Sequence, residues 1–208
     1  MNKVLCIYPK DRTTEFLEPL FEEICSRYSA TPLLGDPQDD DEYLDKLAEL
    51  AAESDTIIFL GHGSSDVLYG VNFNELILAD NVDMLRSGNL IIFACNSIGF
   101  IRKQNLSRAL GFGFVPTSDY DAENGQLHSL PLRNLMASDI AYIQQAIVRI
   151  WIRTLAESNI LDVNSFYSVY SYYTNVEIVD CLKKHGQQNF RLIADILYYL
   201  KADMDYVE

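Results

Sequence analysis

Apolar positions in this chain follow two spacings. Residues 3–8, Thr31–Leu34, Thr56–Leu60, Asn89–Phe93 and residues 112–116 are short runs rich in β-branched and aromatic side chains, and they predict five strands. Between them the spacing changes to three and four. Phe16, Leu17, Leu20, Phe21 and Ile24 predict a helix behind a Thr13 or Thr14 cap. Tyr43, Leu44, Leu47, Leu50 and Ala51 predict another, begun by the acidic run Asp39-Asp40-Asp41-Glu42 because carboxylates suit the positive end of a helix. A short helix over 81–87 ends at Gly88, and a helix over 100–110 ends at Gly111. Residues 67–78 fit either a small hairpin or a covering loop.

Strand and helix in repeated alternation predict an α/β fold, a mostly parallel sheet with helices on both faces. The remainder reads as helical. Ser138 is placed to cap a helix over 138–157 whose stripe is Ile140, Ile143, Ile147, Ile150, Trp151 and Thr154. Phe166, Val169, Tyr170 and Tyr173 fit helical spacing over 165–174. Asn175 then caps a separate helix that ends at Lys183-Lys184-His185-Gly186, and Phe190, Ile193, Ile196, Leu197 and Leu200 mark the last one. No repeat or linker divides the chain, so residues 1–208 are expected to form a single domain.

Composition narrows the function classes. The 208 residues are 49% hydrophobic and 22% charged, enough for a full core and contrary to extensive disorder. A net charge of -14 without a basic patch excludes nucleic acid and anionic membrane as expected partners. The apolar start is too short for a signal peptide, and no stretch approaches the roughly 18 to 20 apolar residues of a membrane span. A soluble, cytoplasmic protein is expected. Cys6, Cys25, Cys95 and Cys181 are widely spaced and expected to be thiols, with no disulfide framework, metal or cofactor.

The candidate chemistry stands at two strand exits. Thr56–Leu60 is followed by Gly61-His62-Gly63, and Asn89–Phe93 by Ala94-Cys95-Asn96-Ser97. Parallel sheets carry their sites just beyond the carboxyl ends of strands, so His62 and Cys95 are expected side by side. A cysteine nucleophile needs an acid–base partner, and histidine supplies one near neutral pH. Gly63 allows a backbone N–H to approach a substrate closely.

Apolar strand, His-Gly, apolar strand, Ala-Cys resembles the caspase-like (clan CD) cysteine peptidases, and within them the compact bacterial CHAT-domain group. Phe93-Ala94-Cys95-Asn96-Ser97 departs from the caspase version, lacking the glutamine before the cysteine and the Arg-Gly after it. Phe166-Tyr167, followed by Val176, Val179 and Leu182, is similar to the helices that close CHAT domains. The resemblance implies a caspase-haemoglobinase-like fold and a cysteine endopeptidase acting on a protein or peptide. Cys95 would be its nucleophile, His62 its acid, and the N–H groups of Gly63 and Cys95 its oxyanion donors. No third residue is demanded, and Asp66 is at most a weak orienter.

Substrate choice in such enzymes depends on loops after the first strand and after the cysteine strand. Asp11 there would favour Lys or Arg, and Arg12 would favour Asp. Asp119, Asp121 and Glu123 tilt the expectation towards a basic residue. The blander readings make Cys6, Cys25 and Cys181 buried hydrophobes, His128 a loop residue and His185 a helix-end residue. Gly61-x-Gly63-x-x-Asp66 lacks the third glycine of a dinucleotide loop.

Two alternatives compete with the peptidase. One is an inactive interaction module on the same fold. The other is an amidotransferase-like thiol hydrolase, disfavoured because Ala94-Cys95-Asn96-Ser97-Ile98 lacks the glycines of a nucleophile elbow. Without a recognisable prodomain or sensor, control is expected from a partner protein, a loop rearrangement or a neighbouring chain.

Overall fold

The computed structural model describes residues 3–35, 42–184 and 189–208. In chain order the strands and α-helices are β1 (Val4–Tyr8), α1 (Glu18–Tyr28), β2 (Thr31–Leu34), α2 (Tyr43–Ala52) and β3 (Thr56–Leu60). Then come three short strands, β4 (His62–Gly63), β5 (Leu68–Tyr69) and β6 (Glu75–Ile77), followed by β7 (Asn89–Phe93), α3 (Ser97–Lys103) and β8 (Ala109–Gly111). The chain closes with α4 (Asp119–Asn124), α5 (Ala137–Glu157), α6 (Val163–Lys183), α7 (Phe190–Ala202) and β9 (Asp205–Val207).

Every residue of β1 and β3 is buried, which suits strands covered on both faces. The main sheet runs in the order β2-β1-β3-β7-β8-β9, parallel except for β9, which lies antiparallel to β8. Period-two alternation sorts the shared strands between two cores. Val4, Cys6, Tyr8, Ile58, Leu60, Ile91 and Phe93 face α1, α5, α6 and α7. Leu5, Ile7, Ile57, Phe59, Leu90 and Ile92 face α2, α3 and the Val82–Arg86 turn, together with Leu68, Leu76 and Ile77 of the short strands. The fold is α/β with helices on both faces. No helix among the described residues is long and apolar enough to cross a membrane.

Several local expectations are corrected. The fifth parallel strand is Ala109–Gly111, pairing with Leu90–Ile92, and residues 112–116 form its exit. The helix expected over 100–110 begins at Ser97 and ends at Lys103, because Asn105 and Arg108 take left-handed backbone (φ 51° and 52°) and turn the chain into β8. Residues 81–87 make a 3-10 turn, Val82–Arg86, in place of an α-helix. Within residues 67–78, β5 and β6 join His62–Gly63 in the antiparallel order β4-β5-β6.

Capping differs too. At the start of α5, Asp139 in the first turn accepts the Met136 N–H at 2.8 Å, so Ser138 is not the cap. Helix α6 runs unbroken through Asn175, whose side chain accepts a bond from Lys201, and Asp162 caps it by accepting the Ser165 N–H at 3.1 Å. Strand β9, antiparallel to β8, has no counterpart among the strands that the apolar spacing predicts. Asp39–Asp41 and His185-Gly186 lie outside the described residues.

Candidate active site

Strands β3 and β7 run parallel with Leu60 level with Phe93, so residues just beyond each emerge at one sheet edge. The Gly61 N–H donates to Phe93 O at 3.1 Å and holds the two exits together. His62 then enters β4. The Ser64 N–H donates to Val67 O at 2.8 Å, and by antiparallel alternation the Gly63 N–H turns away from β5. A side chain at Gly63 would put its Cβ 2.9 Å from Ala94 Cβ and 3.2 Å from Cys95 O. Glycine is therefore what lets the histidine segment lie against the cysteine segment.

On the cysteine side, Asn96 adopts left-handed backbone (φ 55°) and turns the chain into α3. The Asn96 N–H donates to Gly113 O at 3.1 Å and the Ser97 N–H to Ala94 O at 3.3 Å; neither bond uses the Cys95 N–H. Buried Ser97 ties the turn down, its hydroxyl donating to Ile92 O at 2.7 Å and accepting the Phe112 N–H at 2.8 Å. Cys95 is thus clamped between the exits of β7 and β8.

The residue that sequence reasoning missed as a partner for His62 is Asp11. Its carboxylate accepts the Thr13 N–H at 2.8 Å, the Thr13 hydroxyl at 2.7 Å and the Thr14 N–H at 3.1 Å, closing the turn after β1. The buried Tyr8 hydroxyl donates to Thr14 O at 2.8 Å and fixes the same turn from below. Thr13 and Thr14 serve this turn and make no side-chain cap on the following 3-10 helix. Asp11 Oδ2 lies 3.2 Å from His62 Nε2, and Thr13 Oγ1 lies 2.7 Å from the same nitrogen.

Thr13 gives its one hydroxyl proton to Asp11, so in the neutral ring Nε2 carries the proton and Nδ1 keeps the lone pair. Burial alone would raise the Asp11 carboxyl; the Thr13 bonds and the facing His62 outweigh it and hold it below the usual carboxylate range. Phe73 stacks on a face of the imidazole, ring centroids 4.3 Å apart and planes 26° apart. Asp66 pairs with Lys103 on the surface and does not orient His62.

The Cys95 thiol donates to Val115 O at 3.5 Å. Burial pushes it up to about 12, with the Val115 carbonyl partly opposing and the Asp121 charge adding to the rise. In this state it is a protonated thiol. His62 and Cys95 line one recess of about 30 Å³, walled by Phe16, Leu17, Phe112 and Val115.

The substrate candidates separate. Asp11 belongs to the histidine. Ser118 caps α4, its hydroxyl accepting the Asp121 N–H at 3.1 Å, and the Asp121 carboxylate closes the same turn, accepting from the Thr117 N–H at 3.0 Å and the Ser118 hydroxyl at 2.8 Å. Glu123 lies exposed on α4. Arg12 and Asp119 do come together, lining an open cleft of about 420 Å³ that shares Phe16 and Thr117 with the recess. His128 stands apart, 3.2 Å from Asp203 and stacked on Tyr199. All four cysteines are free, and no group of three His, Cys, Asp or Glu among the described residues could hold a metal ion. No family model, curated protein or solved structure matches the chain.

Proposed function

We propose that the chain is a caspase-like cysteine endopeptidase of the CHAT type, cutting a partner protein in the cytoplasm. The observation that supports it is the shared recess: His62 and Cys95, from adjacent parallel strand exits, line one cavity. In the reaction Cys95 passes its proton to His62 Nδ1 and its sulfur attacks the peptide carbonyl carbon. As the C–N bond breaks, the imidazolium gives that proton to the leaving amine. Water then cleaves the thioester, restoring the thiol and releasing the acid. Asp11 and Thr13 hold Nε2 throughout, and the N–H groups of Gly63 and Cys95 receive the oxyanion, each worth about 3 kcal/mol. The substrate displaces Val115 O from the thiol as it enters. A regulatory partner protein that favours this displacement is the expected means of control.

A second reading is an inactive interaction module, favoured by the protonated thiol and its bond to Val115 O. Two electrophiles distinguish them. Iodoacetamide, which recruits no substrate contacts, is expected to alkylate Cys95 slowly near neutral pH, whereas a peptidyl acyloxymethyl ketone labels it rapidly. His62→Ala is expected to slow the peptidyl probe about 100-fold or more, in the range of a lost acid–base group. Equally slow labelling by both reagents, unchanged in His62→Ala, overturns the peptidase and leaves the module.

A further inference from the structure

We infer that the residue on the acyl side of the cut carries a small, uncharged side chain, of the class of glycine, alanine or serine, seated in the recess beside Cys95. This specificity rests on the peptidase reading. It reverses the preference for a basic residue that the acidic loop residues suggest in the sequence.

Size is the first ground. The recess offers about 30 Å³, which is room for one or two water molecules and no more. Its inner walls do not yield easily, though Phe16 on the outer side is only half-buried. Leu17 and Phe112 are 1% exposed, Val115 4% and Phe93 6%. Phe93 and Phe112 meet edge to face at 4.9 Å, and Phe93 meets Trp151 at 5.5 Å, so the floor backs directly onto the aromatic core. Admitting a long side chain requires that core to repack, and tightly packed interiors resist this.

Charge is the second ground. Apart from His62, the lining residues carry no ionisable group but the nucleophile itself. The nearby carboxylates are occupied: Asp11 by Thr13, Thr14 and His62, and Asp121 by Thr117 and Ser118. A lysine or arginine entering here would lose its water with no carboxylate among the lining residues to pair with it, the Asp121 charge acting only from behind the wall, and an aspartate would find no cation but the imidazolium that the reaction itself forms. The opposite charges of Arg12 and Asp119 lie in the neighbouring open cleft, outside the recess.

The test uses the full chain and a matched set of peptidyl acyloxymethyl ketones differing only at the acyl-side residue: alanine, serine, valine, leucine, lysine or aspartate. Alanine and serine probes are expected to label Cys95 at least 10-fold faster than leucine, since each misfitting methylene in a tight apolar site costs about 10- to 200-fold. Lysine and aspartate are expected to be slower still. Val115→Ala keeps the carbonyl that holds Cys95 while widening the recess, and shifts the preference towards valine and leucine without rescuing lysine. If that variant does not fold, Phe16→Ala opens the half-buried wall and predicts the same shift. Fastest labelling by lysine or aspartate overturns the inference and leaves the peptidase standing. Failure of every probe to label Cys95 overturns the peptidase and the inference together.

Discussion

Phe73 is a large apolar side chain, 57% exposed, held in a conformation that L-residues avoid. It and Asn72 take consecutive positive φ angles of 61° and 54°. The loop is pinned by the Gly70 N–H donating to Asn74 O at 2.7 Å and the Asn74 N–H donating to Val71 O at 3.1 Å. A left-handed residue with a Cβ costs about 1 to 2 kcal/mol, and such strain concentrates at functional sites where neighbouring structure enforces it. Here the result is a ring laid over His62. Phe73→Gly is therefore expected to be about 1 kcal/mol more stable than Phe73→Ala in urea unfolding, the reverse of the usual order in regular structure. Both variants are expected to lose the upfield ring-current shift of the His62 ring protons in NMR. If alanine proves the more stable, the loop is not strained as described. Unchanged His62 shifts would show that the rings do not stack.

At the scale of elements, the site depends on how α3 sits against β8. A Cβ at Gly111 would lie 2.6 Å from Ile101 Cδ1 and 2.7 Å from the Cα and N of Ile98. Gly111→Ala must push α3 away, and α3 begins two residues after Cys95. An overpacking cost of about 1 to 3 kcal/mol is expected in chemical denaturation, with slower labelling of Cys95 by the peptidyl probe. Wild-type stability in Gly111→Ala would mean that α3 adjusts freely and does not fix the cysteine.

The same contact explains what the sequence leaves unread. Strands β1, β3 and β7 are continuous apolar runs and were legible, as were the positions of His62 and Cys95 at their exits. Ala109-Leu110-Gly111 has no such pattern; its small residues answer to the helix packed on it, and the more aromatic residues 112–116 carry the stronger strand signal. Asn175 has the chemistry of a cap, but its bond to Lys201 places it on the outside of an unbroken α6. Asp11 lies 51 positions from His62, and only the Thr13-Thr14 turn aims it there. Nothing local in the sequence carries that pairing.

At the scale of the whole molecule, the strands bind the two cores into one unit. Along β1, Val4, Cys6 and Tyr8 serve the core beneath α1, α5, α6 and α7, while Leu5 and Ile7 serve the core beneath α2 and α3. Removing either cover exposes strands that the other core also needs, so neither face gains by unfolding alone. Trp151, packed against Phe93, Phe112, Phe166 and Tyr170, reports by fluorescence on the first core only. Far-ultraviolet circular dichroism reports on helices of both faces. In urea the two signals are expected to change in a single transition with one midpoint. Amide exchange in α2 is expected to give the same opening free energy as exchange in α5, because both are limited by global unfolding. A fluorescence midpoint separate from that of circular dichroism, or α2 amides exchanging well below the global limit, would instead mean that the sheet's two faces open independently. The Cys95 and His62 exits would then be held by the α5 side alone.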